Sequence, residues 1–335
     1  MNLDTLLKKT ARSLYLSARI LPASIRPAFT VAYLLCRYAD TMADTHLLAP
    51  QKRLYWVEKF PQLVQAENAT EQTALLKEVT GQSNNPYEKT LLAHLQDCLE
   101  ELQRIEPDLK LLIVQVVQAV CEGMILDLQR FGTQKGAPPV ALKTRQELEQ
   151  YCRLMGGKPG LFWSQLIEYA TPLLLPKEVF FDMGQQIGDA LQIVNILRDL
   201  PRDLRQGRCY FAQEELEKAK LTTTDLLLTK NSIHFAPIKK EWIRWGRKNL
   251  EQANVFYAAI PKKQWRIRAA VAWPILWTAD TFNKLAQAPD ILNPTRRIKI
   301  SKKRVYATML MSALFVLSNR YFEKTLMRKL NQLPQ

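Results

Sequence analysis

Apolar residues recur at every third or fourth position through most of the chain, the period of helices that bury one face. The pattern predicts helices over 27–45, 88–104, 107–132, 147–170, 177–200, 239–258 and 266–287. Nowhere does it alternate strictly enough to predict a strand, and no segment repeats another. Between the periodic stretches stand short runs rich in turn-forming residues, at 81–88, 131–144, 171–178 and 287–295. None is long enough for an interdomain linker. The expectation is one all-α domain over residues 1–290, followed at 291–335 by a basic, then apolar, appendage.

Two of these helices break their own pattern. In "LLCRYADTMAD" (34–44), Leu34, Leu35, Tyr38 and Met42 mark a buried face, yet Arg37, Asp40 and Asp44 line one side at spacings of three and four. Alone, that stripe reads equally well as solvated surface with an Arg–Asp pair. A second stripe lies in "DALQIVNILRDLPRDLRQGRCYFAQEEL" (189–216), where Gln192, Asn195, Asp199 and Asp203 follow one another by three, four and four. Ile193, Val194, Ile196 and Leu197 surround it. A polar stripe inside an apolar helix must be hydrogen-bonded or serve a ligand, because burying it unpaired is costly.

Carboxylates four apart present hard oxygen ligands to Mg2+, which takes few protein carboxylates and completes its shell with water and substrate phosphate. Arg198, Arg202, Arg205 and Arg208 crowd the same segment and suit a diphosphate. Two such walls facing across a helix-lined cavity would hold a diphosphate through bridging Mg2+ and leave apolar walls for a hydrocarbon. Pro201 stands between Asp199 and Asp203, where its missing N–H predicts a kink.

Charge and cysteine usage narrow the partners. The chain carries 47 Lys+Arg against 32 Asp+Glu, a net charge of +15, which calls for nucleic acid, substrate phosphates or an acidic membrane face. Its arginines share segments with carboxylates rather than with exposed aromatics, so nucleic acid is not expected. The run "RRIKISKKR" (296–304) precedes an uncharged stretch at 305–319. It reads either as a solvated turn or as a contact with an anionic membrane. That stretch is shorter than the roughly 20 apolar residues of a spanning helix, so no transmembrane segment is expected. The N-terminus has no signal-peptide pattern. Cys36, Cys98, Cys121, Cys152 and Cys209 are scattered, as suits free thiols in a reducing cytoplasm. No H-E-x-x-H, zinc or G-x-S-x-G motif is present, which excludes the corresponding hydrolases.

Taken together, several segments resemble the squalene/phytoene synthase family. "ARSLYLSARILPASIRPAFTVAYLLCRYADTMAD" is similar to its first segment and first aspartate-rich motif, "EGMILDL" (122–128) to its G-M-x-x-D-L helix, and "YCRLMGGKPG" (151–160) to its Y-C-x-x-x-A-G-x-x-G segment. "LQIVNILRDLPRDLRQGRCYFAQEEL" is similar to its second aspartate-rich motif. The resemblance implies the all-α isoprenoid synthase fold, a single domain around a central cavity. It implies that Asp40, Asp44, Asp199 and Asp203 bind Mg2+-diphosphate. Arg12, Ser13, Tyr33, Arg37, Arg198 and Arg208 match positions that touch diphosphate or the channel beside it. Gln192 and Asn195 fall on the matching helix, and Tyr151 matches a tyrosine assigned to proton removal.

The implied reaction joins two prenyl diphosphates head to head through a cyclopropylcarbinyl diphosphate. It ends in hydride quenching by NADPH (squalene) or in proton loss (phytoene or dehydrosqualene). D-T-M-A-D at 40–44, the bulk of Trp273 and Trp277, and a segment at 299–310 similar to bacterial squalene synthase-like chains favour farnesyl diphosphate and squalene. Lys158 and Arg202 offer charge for NADPH. A non-catalytic assembly factor of the same family is the rival from another class, and four intact aspartates argue against it. The expected protein is a cytoplasmic monomer, peripheral on the membrane face.

Overall fold

The computed structural model describes residues 3–11, 14–44, 48–65, 69–80, 90–131 and 138–334. The chain is all-α, as its periodicity predicts, and divides into two compact units: Met1–Gly132 with Gln165–Ala170, and Thr133–Ser164 with Thr171–Gln335. The division falls away from residue 290, where the sequence reading ended its single domain.

The first unit holds α1 (Leu3–Thr10), α2 (Leu14–Ile20), α3 (Arg26–Asp44), α4 (Pro50–Gln65), α5 (Ala69–Thr80), α6 (Leu95–Gln103) and α7 (Pro107–Phe131). Helix α3 packs along α7, α4 and α6, burying Val31, Leu34, Leu35 and Tyr38 against the apolar faces that carry Val57, Phe60, Leu102, Ile113 and Val117. By length and composition α7 could cross a membrane, which the sequence reading did not expect of any segment. Half of its apolar window is buried, and it serves as the central helix against which α3 and α4 pack. The start predicted at 88 for the α6 segment lies outside the described residues.

The second unit holds β1 (Val140–Leu142), α8 (Arg145–Cys152), a π-helical turn (Arg153–Gly157), the start of α9 (Lys158–Ala170), α10 (Lys177–Arg205), β2 (Arg208–Ala212), α11 (Gln213–Lys218), α12 (Ser232–Leu250), α13 (Ala253–Ala258), α14 (Trp265–Ala286), α15 (Lys302–Leu317) and α16 (Asn319–Leu330). Helix α10 is its axis, flanked by the π turn, α12 and α14. The two strands were not expected. They pair in parallel, Val140 with Arg208 and Ala141 with Cys209. Three to five residues are too few to register as alternation.

Three further differences have local causes. The helix predicted to end at 200 runs on through Pro201 to Arg205, with Leu197, Leu200 and Leu204 buried at helical spacing on both sides of the proline. Packing of that face outweighs the one hydrogen bond a proline forfeits. The single helix predicted over 147–170 contains the π turn, where Gly156 and Gly157 press on α10. Here the glycines are required: a Cβ at Gly188 would overlap the Gly156 carbonyl, and one at Gly156 would overlap the Gly188 carbonyl.

Residues 291–334, set apart as an appendage by the sequence reading, pack into this unit. Phe315, Phe322, Leu326 and Leu330 are buried, and Tyr257 stacks on Phe322 at 3.9 Å. The buried Arg268 donates to the Ile260 carbonyl at 2.7 Å and the Phe315 carbonyl at 3.3 Å. Asp280 is held by Arg304 at 2.9 and 3.0 Å and also pairs with Lys329.

Candidate active site

Helix α3 carries the first stripe. Arg37 is exposed and ion-paired with Asp40 one turn on, while Asp44 stands exposed at the helix end. Tyr33, half-buried, donates its hydroxyl to the Thr10 carbonyl at 3.2 Å and so ties α3 to the end of α1. Arg12 and Ser13 lie outside the described residues. Arg53 was not anticipated. It is buried, and its guanidinium donates to the Ala43 carbonyl at 3.2 Å, placing a cation at the C-terminal end of α3 beside Asp44. A positive charge there complements the helix dipole. No motif marks Arg53, because its partner is a backbone carbonyl.

Helix α10 carries the second stripe. Gln192, Asn195 and Asp199 are half-buried, and Asp203 is buried. Asp199 accepts two hydrogen bonds from the Arg198 guanidinium, at 2.6 and 3.1 Å, and Arg202 approaches it to 4.0 Å. Arg202 also grips Asp203 at 3.0 and 3.2 Å. The two carboxylates differ electrostatically. Burial pushes Asp199 up, but the hydrogen bonds and charge of Arg198, with Arg202 and Arg297 behind them, hold its carboxyl below the ordinary range. At Asp203 burial prevails over Arg202 and Arg208, and the carboxyl is pushed up to about 6. Arg297, read from sequence only as part of a basic run, therefore acts on Asp199 from the chain that follows α14.

Tyr151 closes α8 and stacks on Tyr210 of β2, ring centroids 4.7 Å apart, with its hydroxyl 3.3 Å from that of Tyr210. Alternate residues of a strand share a face, so β2 presents Arg208 on the same side as Tyr210. The sequence reading quoted Tyr210 without singling it out. Only the parallel pairing of β2 with β1 places it against Tyr151. One turn before Gln192, the fully buried Asp189 pairs with Arg153 of the π turn at 2.7 Å. Burial raises the Asp189 carboxyl to about 7 against the pull of Arg153. A Cβ at Gly157 would strike that carboxylate. The same crossing sets Gly156 against the Cβ of Gln192, so the Tyr151 segment and the polar stripe of α10 are held together by backbone contact.

Each aspartate-rich segment thus offers two carboxylates one helical turn apart, and no cluster of three or more Asp, Glu, His or Cys occurs among the described residues. Hard oxygens in pairs, with arginines beside them, fit Mg2+ that keeps its remaining positions for water and phosphate. They do not fit zinc, whose sites need three or four nitrogen, sulfur or carboxylate ligands.

A family model described as Squalene/phytoene synthase matches residues 7–304. The chain belongs to the squalene/phytoene synthase family. The members of this family are prenyltransferases, which join prenyl diphosphates head to head and depend on Mg2+. Among curated relatives, the chain is 24% identical over 306 residues to phytoene synthase 2 of Solanum lycopersicum, covering 89% of this chain and 84% of that protein. It is 25% identical over 288 residues to a bifunctional lycopene cyclase/phytoene synthase of Arthroderma gypseum, covering 84% of this chain and 45% of that one. Against the phytoene synthase of Narcissus pseudonarcissus it spans 62% of the relative's length.

In fold the chain is similar to TcSQS solved with a bound ligand, with a TM-score of 0.78 at 15% identity over 98% of this chain and 95% of that one. A dehydrosqualene synthase complex gives 0.64 at 19% identity, over 94% and 95%. The squalene synthase HpnC of Alicyclobacillus acidocaldarius gives 0.55 at 16%, over 81% and 88%. At such identities these structures establish the all-α fold alone.

Proposed function

We propose that this chain condenses two farnesyl diphosphates head to head, through a cyclopropylcarbinyl diphosphate, to squalene. The observation that carries the reading is the α10 stripe, where each carboxylate of the Asp199/Asp203 pair is gripped by its own arginine. Asp40 and Asp44 on α3, and Asp199 and Asp203 on α10, would hold Mg2+. When bound, the metal neutralises diphosphate and makes it a better leaving group.

The rest falls to the chain. Arg37, Arg198 and Arg208 are placed to bind phosphate oxygens, a role that needs forked donors rather than point charges. In each stripe a salt-bridged arginine is released to the substrate when the carboxylate takes a metal. Gln192 and Asn195, half-buried on the same face, orient the diphosphate through their amides. The Tyr151 hydroxyl, hydrogen-bonded to that of Tyr210, is the group proposed to move a proton. Five free thiols accord with a cytoplasmic protein, and we assign it as a monomer.

The chain length rests on less. Trp273 and Trp277 of α14 are buried and stacked at 6.2 Å, and neither indole N–H has a hydrogen-bond partner among the described residues. Two such rings shorten any apolar tunnel they line and offer π faces to a carbocation. A second reading, phytoene from geranylgeranyl diphosphate without NADPH, is favoured by the names of the curated relatives.

One incubation separates them. The protein is given farnesyl or geranylgeranyl diphosphate, with and without Mg2+ and NADPH, and the hydrocarbon is identified. Squalene from the C15 substrate with NADPH, and presqualene diphosphate or dehydrosqualene without it, is the expected result. Phytoene from the C20 substrate alone replaces the assignment and keeps the reaction class. No diphosphate release from either substrate removes the enzymatic reading. Trp273→Ala or Trp277→Ala should shift the preference toward C20.

A further inference from the structure

Helix α15 is amphipathic in the wrong sense for a helix whose outer face meets water. Its buried residues are Thr308, Ser312 and Phe315. The two hydroxyls bond within the helix, Thr308 to the Arg304 carbonyl at 3.0 Å and Ser312 to the Met309 carbonyl. Outward stand Tyr306, Leu310, Leu314 and Leu317, of which Leu310 is 79% and Leu317 72% exposed. With Ala313, also exposed, they fall in a stripe about 100° wide at 3.6 residues per turn, opposite Thr308, Ser312 and Phe315. Single exposed apolar residues are ordinary, but four large ones on one helix face are not.

Charge indicates what covers the stripe. Lys302 and Lys303 open α15 on the same side of the helix as the leucines, and both are exposed. No ion pair engages either of them, or the exposed Lys299, among the described residues. Arg304, by contrast, turns inward to Asp280. Beyond Leu317 the exposed Arg320 and Lys324 follow on α16. An apolar stripe with cations at both ends matches an acyl layer beneath anionic headgroups, and a second protein surface would need acidic groups at both ends. Sixteen residues rise about 24 Å, short of the ~30 Å hydrocarbon core, so the helix lies along the membrane instead of crossing it.

We infer that the outward face of α15, Tyr306, Leu310, Leu314 and Leu317 with Lys302 and Lys303, docks this protein on an anionic lipid bilayer. The inference rests on exposure and charge alone and holds whichever hydrocarbon is made.

The test is co-sedimentation of the full chain with phosphatidylcholine vesicles, with and without phosphatidylglycerol. It compares the native protein with L310Q/L314Q/L317Q and with K302Q/K303Q. All five positions are exposed, and an unchanged thermal midpoint verifies that each variant folds. The native protein is expected to bind the anionic vesicles, and 0.5 M salt to release much of it by screening. Each variant should lower the partition coefficient by about tenfold or more. Absence of binding to anionic vesicles, or binding undiminished in the leucine variant, overturns the proposal. A concentration-dependent dimer that the leucine variant abolishes, without vesicle binding, overturns it too and assigns the face to a second copy.

Discussion

The four aspartates of the two stripes differ in what surrounds them, and their substitution should show it. Asp40→Asn and Asp199→Asn each remove one hard oxygen ligand and one arginine partner while keeping size. Each is expected to cut turnover by about 10²-fold or more, in line with losing one electrostatic stabiliser of a developing charge. Steady-state diphosphate release at saturating Mg2+ checks this, and a change of under tenfold would remove the residue from the site. Tyr151→Phe keeps the stack on Tyr210 and loses the hydroxyl. Stability should stay within about 1 kcal/mol of native, the net worth of one hydrogen bond, while product formation falls.

Asp189 makes a residue-scale prediction about pH. Its folded carboxyl titrates near 7, whereas an unfolded aspartate titrates near about 3.9. Between those values the native state holds a proton the unfolded state lacks, so this group makes stability fall as pH rises and leaves it level above about 7. Asp189→Asn should flatten that part of the profile, read as denaturation midpoints from pH 5 to 8. An unchanged slope would show that Asp189 is not the titrating group.

At the scale of elements, the crossing of the π turn with α10 is the joint that matters. Gly188 and Gly156 meet backbone to backbone, so Gly188→Ala should cost about 3 kcal/mol or more, the upper range of overpacking, because neither carbonyl can rotate away. Gly207 is the control. Its φ of +83° favours glycine but nothing lies near a Cβ there. Gly207→Ala should therefore cost only about 1–2 kcal/mol, from strain alone. Urea unfolding of both variants measures the difference, and equal losses would refute the backbone contact. Tyr151 comes just before this joint and Gln192 lies in it, so Gly188→Ala should also lower activity more than its stability loss predicts.

For the whole molecule, the last two helices decide what can be removed. A chain ended at residue 300 loses Phe315, Phe322, Leu326 and Leu330 from the second unit, strips Asp280 of Arg304 and Lys329, and leaves the buried Arg268 short of acceptors. An uncompensated buried charge alone costs several kcal/mol, against a total stability of about 5–15. The truncated chain is expected to be insoluble or to lose its cooperative thermal transition. A soluble, sharply melting truncation would restore the appendage reading. Deletion is therefore a poor probe of membrane binding, and exposed leucines are the better one.

The sequence by itself determined the helical class, the two aspartate stripes and the family, because helical period and i, i+4 spacing are local properties carried by neighbouring residues. It could not place Tyr210 against Tyr151, Arg53 under the end of α3, Arg297 near Asp199 or Asp189 against Arg153. Each of these contacts joins residues distant in the chain through a backbone carbonyl, a short strand or a buried pair that leaves no periodic trace. Pro201 and the tail were misread for a related reason: local propensity argued for a break and for an appendage, and burial overruled both. Which face of α15 points outward was likewise decided only by tertiary structure. Its small hydroxylated residues and its leucines are both compatible with a core, and only the packing of α14 and α16 shows which side remained uncovered.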